Sequence, residues 1–140
     1  MEKNGIIFKD NKHENAFYYF VDKMQLKHSD PERVALAYLL ALNTDCRNHI
    51  NDLYDFEERI ILVEGLEKAW QTHTSLKTAR LAFNLYNGYC YDGQTYKGSD
   101  GQERDLPSEY YSPAHLFACS YAPYFWQAIK IRYPEYSEEE

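Results

Sequence analysis

Asp45, His49 and Asp52 stand at positions i, i+4 and i+7, a spacing that on a regular helix gathers them within about 60° on one side. Carboxylates and an imidazole are metal-ligand types, and Asp55 follows just beyond. Such a set could hold a divalent cation and activate a bound water for hydrolysis. The blander reading is that polar residues opposite an apolar stripe are what any amphipathic helix shows.

Charge is more informative when it is counted locally. From Asp45 to Glu67 there are seven acids and two bases, so this stretch carries −5 of the chain's formal net charge of −7. With Asp52, Asp55, Glu57 and Glu58 as candidate contact residues, such a patch could dock a basic partner, speed the encounter, or imitate the phosphate row of a nucleic acid. A charge run is also the ordinary solvated face of a helix.

Two further groups could act in recognition. Lys77, Arg80, Asn84 and Asn87 form a narrow polar stripe between two apolar faces, in which Arg80 with two amides could bind an anion or simply satisfy neighbouring backbone carbonyls. Fourteen tyrosines are many for this length, and several fall in 86–111 and 121–136. Tyrosine offers rigid amphipathic contact area, which suits protein interfaces as well as core margins. Tyr91, Tyr96, Tyr110 and Tyr111 are the candidate partner-binding residues of this kind.

The remaining histidines, His13, His28, His73 and His115, sit singly and suggest no ligand set. No Gly-x-x-x-x-Gly-Lys loop, Gly-x-Ser-x-Gly elbow or His-Glu-x-x-His helix occurs, so no catalytic residue is named and no cofactor is expected. Cys46, Cys90 and Cys119 are odd in number and never form a Cys-x-x-Cys pair, which suggests neither a disulfide framework nor a zinc site.

The elements that must position these residues are mostly helical. A chain of 140 residues with 44% hydrophobic and 16% aromatic residues has the size and composition of one domain with one core. Ile6 to Phe8 is a short strand candidate, and Ala16, Phe17, Phe20, Val21 and Met24 repeat at helical spacing. Asp30 and Pro31 supply a cap and a first-turn proline for a second helix. From Val34 to Leu42 that helix is apolar around its whole circumference, so neighbours must cover every side.

Asn43-Thr44-Asp45 offers a cap for a third helix with Cys46, Ile50 and Leu53 on its apolar face. In 57–70 helix and strand patterns cannot be separated. Thr74 and Ser75 can cap a further helix that Asn87-Gly88 stops. Residues 89–111 carry three of the six glycines and read as a long loop or small hairpin, a recognition element by position. Ser112-Pro113 restarts the helical pattern, Pro123 divides it from a last helix, Pro134 ends that helix, and 135–140 form a frayed acidic tail.

Asp30-Pro31-Glu32-Arg33-Val34-Ala35-Leu36-Ala37-Tyr38, Asn43-Thr44-Asp45, Tyr54-Asp55-Phe56 and the run from Arg80 to Gly88 resemble a family of small uncharacterised proteins of Firmicutes and their phages. The resemblance covers Phe8 to Tyr89 and, more loosely, Ser112 to Pro134, with the glycine-rich segment between them looking like an extension. It implies a helical fold and a mobile-element origin. It brings no active site with it.

The expected fold is therefore mainly α, a single-domain bundle of six or seven short helices around the apolar helix 31–42, with at most a minor hairpin in 89–111. The expected function is that of a non-enzymatic protein-binding module in the cytoplasm, whose partner presents a basic surface. In its narrowest form it is a phage-encoded acidic inhibitor of a host defence nuclease. Direct nucleic-acid binding is not expected, because no basic cluster exists to neutralise phosphates, and no apolar run is long enough for a signal peptide or a membrane span. The alternatives are a metal-dependent hydrolase using Asp45, His49 and Asp52, and a homodimeric structural or regulatory protein joined through the aromatic C-terminal helix.

Overall fold

The computed structural model describes residues 2, 3 and 5–136. Its organising element is the apolar helix. Asp30 caps it by accepting a hydrogen bond from the Arg33 amide at 3.1 Å, Pro31 occupies its first turn, and the helix runs over Pro31–Leu42. From Ala35 to Leu42 no residue is more than 2% exposed. Such burial on every side requires three or more neighbours, and three long helices supply it.

In chain order the helices are α1 (Asn11–Met24), α2 (Pro31–Leu42), α3 (Thr44–Asn48), α4 (Ile50–Leu53), α5 (His73–Asn87), α6 (Pro113–Leu116) and α7 (Ala122–Arg132). α1, α5 and α7 all pack on α2. They bury Phe17, Phe20 and Met24 from α1, Ala79, Leu81, Ala82, Phe83 and Leu85 from α5, and Phe125 and Ala128 from α7. Each fully buried leucine or phenylalanine contributes about 1.5–3 kcal/mol relative to exposure.

The described residues also contain three two-stranded antiparallel sheets: β1 (Glu2–Lys3) with β2 (Ile6–Ile7), β3 (Tyr54–Asp55) with β4 (Ile60–Ile61), and β5 (Tyr91–Lys97) with β6 (Glu103–Pro107). The segment 57–70, where periodicity favours neither state, resolves into β4 and a 3-10 turn over Val63–Glu67. Residues 89–111 form the hairpin rather than an open loop. Of the acidic tail expected over 135–140, Glu135 and Tyr136 close a 3-10 turn with Pro134, and 137–140 lie outside the described residues.

Two helix starts differ from the sequence reading, and capping explains both. α1 begins at Asn11, ahead of the apolar repeat from Ala16, because the Asp10 carboxylate accepts from the His13 amide at 2.8 Å and caps it. α5 begins at His73, because Thr72 and Ser75 form a reciprocal capping box: Thr72 Oγ1 accepts from the Ser75 amide at 3.1 Å, and Ser75 Oγ accepts from the Thr72 amide at 2.7 Å. Its end is where glycine demands it. Gly88 takes the left-handed conformation at φ 82°.

Polar groups inside this core are all engaged; among the described residues no buried side-chain nitrogen or oxygen lacks a partner. Gln127 Oε1 accepts from the Ile7 amide at 2.9 Å, and the Tyr38 hydroxyl donates to the Ile7 carbonyl, so β2 is tied to α7 and α2 at once. The half-buried Arg33 donates to the hydroxyls of Tyr54 (3.1 Å) and Tyr86 (3.0 Å), to the Arg59 carbonyl (2.8 Å) and to Asp30 Oδ2 (3.0 Å). Burial alone would raise the Asp30 carboxyl, but the hydrogen bonds from the Arg33 amide and guanidinium hold it below its ordinary value.

His13 is fully buried, with Nδ1 accepting from the Lys9 amide at 3.1 Å and Nε2 2.9 Å from the Tyr38 carbonyl. A carbonyl can only accept, so Nε2 carries the proton and the ring is neutral. Burial pushes its pKa down from 6.5 to about 4. The unfolded chain then binds the extra proton first, so the associated stability is full above pH 6.5 and is lost as the pH falls towards 4. The loss should reach about 3 kcal/mol. Urea denaturation between pH 7 and 4 checks this, and His13→Gln should flatten the slope across that window.

Candidate functional site

The residues with the clearest chemical spacing fall on two short helices instead of one. The expected third helix breaks at His49 into α3 and α4, with His49 at φ −120° and ψ 33°, so Asp45, His49 and Asp52 do not share one regular helical stripe. At the break the His49 amide is shared between the Asp45 carbonyl at 3.1 Å and the Cys46 carbonyl at 3.2 Å, and His49 Nδ1 lies 2.9 Å from the same Asp45 oxygen. The His49 ring stacks on Trp70, with centroids 4.3 Å apart and planes 7° from parallel. Asp52 Oδ2 accepts from Trp70 Nε1 at 2.9 Å, and Asp45 Oδ2 from the Thr72 hydroxyl at 3.4 Å. These side chains fix Trp70 and the start of α5. No three His, Cys, Asp or Glu side chains converge as a cation would need among the described residues.

The acidic candidates divide in the same way. Asp55 is half-buried and caps the turn after β3, its Oδ1 accepting from the amides of Glu57 and Glu58 at 2.9 Å each. Glu57 and Glu58 are exposed, as are Glu64 and Glu67 on the 3-10 turn. On a 3-10 helix residues i and i+3 eclipse, so Glu64 and Glu67 project from one side. Gly65 between them is required by close approach. A Cβ there would lie 2.2 Å from the Asp52 carbonyl oxygen and 2.8 Å from Leu53 Cδ2, so the turn can rest on α4 only without a side chain.

Opposite that turn stands the base of the β5–β6 hairpin. Tyr89 is clamped to the end of α5: its amide donates to Asn87 Oδ1 and its carbonyl accepts from Asn84 Nδ2, both at 3.1 Å. Tyr89, Tyr91 and Tyr111 then meet edge to face, with centroids 5.4 Å apart for Tyr89–Tyr91 and 6.3 Å for Tyr89–Tyr111. The Tyr111 hydroxyl donates to the Tyr91 carbonyl at 3.0 Å and fixes the strand. The β5–β6 register shifts between Tyr91 and Thr95, where Gly93 adopts φ 92°.

Between turn and hairpin lies a cleft of about 260 Å³, lined by Val63, Glu64, Leu66, Glu67, Arg80, Tyr89, Tyr91, Asp92 and Gly93. The polar stripe of α5 is divided here. Lys77 donates to the carbonyls of His115 (2.6 Å) and Ala118 (3.4 Å), and the two asparagines hold Tyr89, which leaves Arg80. Its guanidinium carbon sits 5.0 Å from the Tyr110 ring centre and 5.9 Å from that of Tyr111. It makes no hydrogen bond or ion pair among the described residues. Burial raises the Tyr89 phenol, and the charges of Asp105, Glu67 and Asp92 add to that effect, so the acidic field reaches the aromatic wall.

Of the tyrosines expected to act in binding, Tyr91 lines the cleft, while Tyr110 and Tyr111 lie behind it against Arg80. Tyr96 lies exposed further out on the hairpin, beside Arg104. Sequence reasoning did not single out Glu64, Glu67, Tyr89 or Asp92. A signal existed in Val63-Glu64-Gly65-Leu66-Glu67, where two acids three apart flank a glycine, but it was hidden by the undecided periodicity of 57–70.

A family model matches residues 3–140, nearly the whole chain and the hairpin included. The chain belongs to the family of unknown function DUF6075. The glycine-rich segment, which looks like an extension when only the helical stretches are compared, is therefore covered by the DUF6075 model. No curated protein and no solved structure matches the chain. Among the described residues no helix is long and apolar enough to cross a membrane.

Gly65→Ala should destabilise the protein by about 1–3 kcal/mol, the range for forcing an atom into filled space. The midpoint of urea denaturation measures it.

Proposed function

We propose that this DUF6075 protein is a non-enzymatic protein-binding module, and that its cleft and hairpin base receive a basic segment of the partner. The observation that carries the reading is the shared lining of one cleft by Glu64 and Glu67 from the acidic stretch and by Tyr89, Tyr91 and Asp92 from the hairpin. Carboxylates at the mouth attract and orient a cationic side chain, and tyrosine faces hold it by ring burial and cation–π attraction. Asp52 and Asp55 act indirectly, through Trp70 and the β3–β4 turn, while Glu57 and Glu58 extend the exposed negative surface. The narrower form of the reading is a phage-encoded inhibitor that occupies the basic nucleic-acid channel of a host nuclease.

Quantitative affinity capture from a host lysate tests this with three baits: the natural chain, Glu64→Lys/Glu67→Lys, and Glu57→Lys/Glu58→Lys. A basic partner should be retained by the first and reduced about tenfold or more by the second, with a smaller loss for the third, since charges at the contact dominate those further away. Unchanged capture by both reversed baits would remove the reading.

Homodimerisation through the C-terminal helix has one observation in its favour: Trp126 on α7 is 59% exposed, its ring 5.1 Å from that of Phe117. If α7 is an interface, light scattering should give twice the monomer mass at high concentration, and Trp126→Lys should abolish it. A constant monomer mass leaves the monomeric binder.

A further inference from the structure

Arg80 is held at the cleft by aromatic faces and has no protein acceptor among the described residues. Tyr110 and Tyr111 orient its guanidinium, yet none of its five N–H donors is used by a described residue. Glu64, Glu67 and Asp92 line the same cleft, and none comes within ion-pair distance of it. An arginine beside three carboxylates that pair with it nowhere marks a space divided between two signs of charge. A purely cationic ligand would meet Arg80, and a purely anionic one would meet the three acids. A ligand with both charges satisfies both walls.

The volume narrows the choice. About 260 Å³ is smaller than the pockets of roughly 300–1,000 Å³ that take drug-sized ligands, and matches a single amino-acid residue. The apolar part of the lining, Val63, Leu66, Tyr89 and Tyr91, suits an aliphatic stem between the two charged ends. We infer that the cleft is a receptor for a basic amino-acid residue with a free carboxylate. The carboxylate is held by the Arg80 fork and the cationic end by Glu64, Glu67 and Asp92. Free arginine or lysine supplies this chemistry, and so does the C-terminal residue of a partner; in the second case the inference rests on the protein-binding reading above.

Isothermal titration of the full chain tests it with three probes: L-arginine, N-acetyl-glycyl-arginine with a free C-terminus, and the same peptide amidated. At least one free-carboxylate probe should bind, and amidation should weaken the peptide about tenfold or more, the loss of a charge-assisted bidentate contact. Arg80→Gln should produce the same loss while far-UV circular dichroism stays unchanged. The amidated probe keeps the test valid even if that variant fails to fold. Binding of free arginine alone identifies a small-molecule receptor, and stronger binding of the peptide acid identifies a chain end. No heat from any probe, or an amide as tight as the acid, overturns the inference. If probes fail while capture still depends on Glu64 and Glu67, only the carboxylate receptor falls. If probes bind and capture ignores charge reversal, only the protein-binding reading falls.

Discussion

Everything in this protein follows from the need to keep water away from a helix that has no polar side. With Ala35 to Leu42 sealed, α2 cannot lie on a surface, and its neighbours are selected by their ability to cover it. α1, α5 and α7 therefore turn their apolar stripes inward. The shorter elements serve that enclosure: α3 follows α2 directly from the Asn43 cap, whose side chain accepts from the Cys46 amide at 3.0 Å. The acidic turn and the hairpin lie outside this packed centre, where side chains are free to meet something else.

Two arginines show what the enclosure permits. Arg33 stands at the N-terminal end of α2 and finds acceptors for its guanidinium on four different residues, which joins α2 to the β3–β4 turn and to α5. Such a residue is part of the scaffold, because removing it would orphan several polar groups at once. Arg80 lies on α5 and finds only aromatic faces. Equal chemistry in unequal surroundings separates a structural role from an available one. Among the described residues no other arginine beside a cleft is left in that condition by rings alone.

The helical part of this architecture was legible because local rules agreed with one another. Asp30 before Pro31, Asn43 before Thr44, Gly88 after Asn87 and Ser112 before Pro113 each mark a boundary that the structure places where the residue types put it. The departures have local causes. The His49 break lies where its amide is shared between two carbonyls and its ring stacks on Trp70, a tertiary contact that hydrophobic periodicity does not register. The acidic turn depends on a glycine packed against α4, a tertiary contact. The cleft was the least legible, because its lining comes from 63–67, from 80 and from 89–93, segments that only the fold brings together.

The hairpin has a consequence of its own. Apart from half-buried Tyr91 and Asp92 at its base, every residue of its two strands is exposed, and its far end is closed by Arg104 lying across Asp100 at 2.7 and 3.1 Å. Residues 94–106 carry almost none of the folding energy, so this segment can drift in sequence without endangering the fold. Mutation can thus reshape this projecting arm in small steps while the enclosed rod and the cleft lining stay fixed.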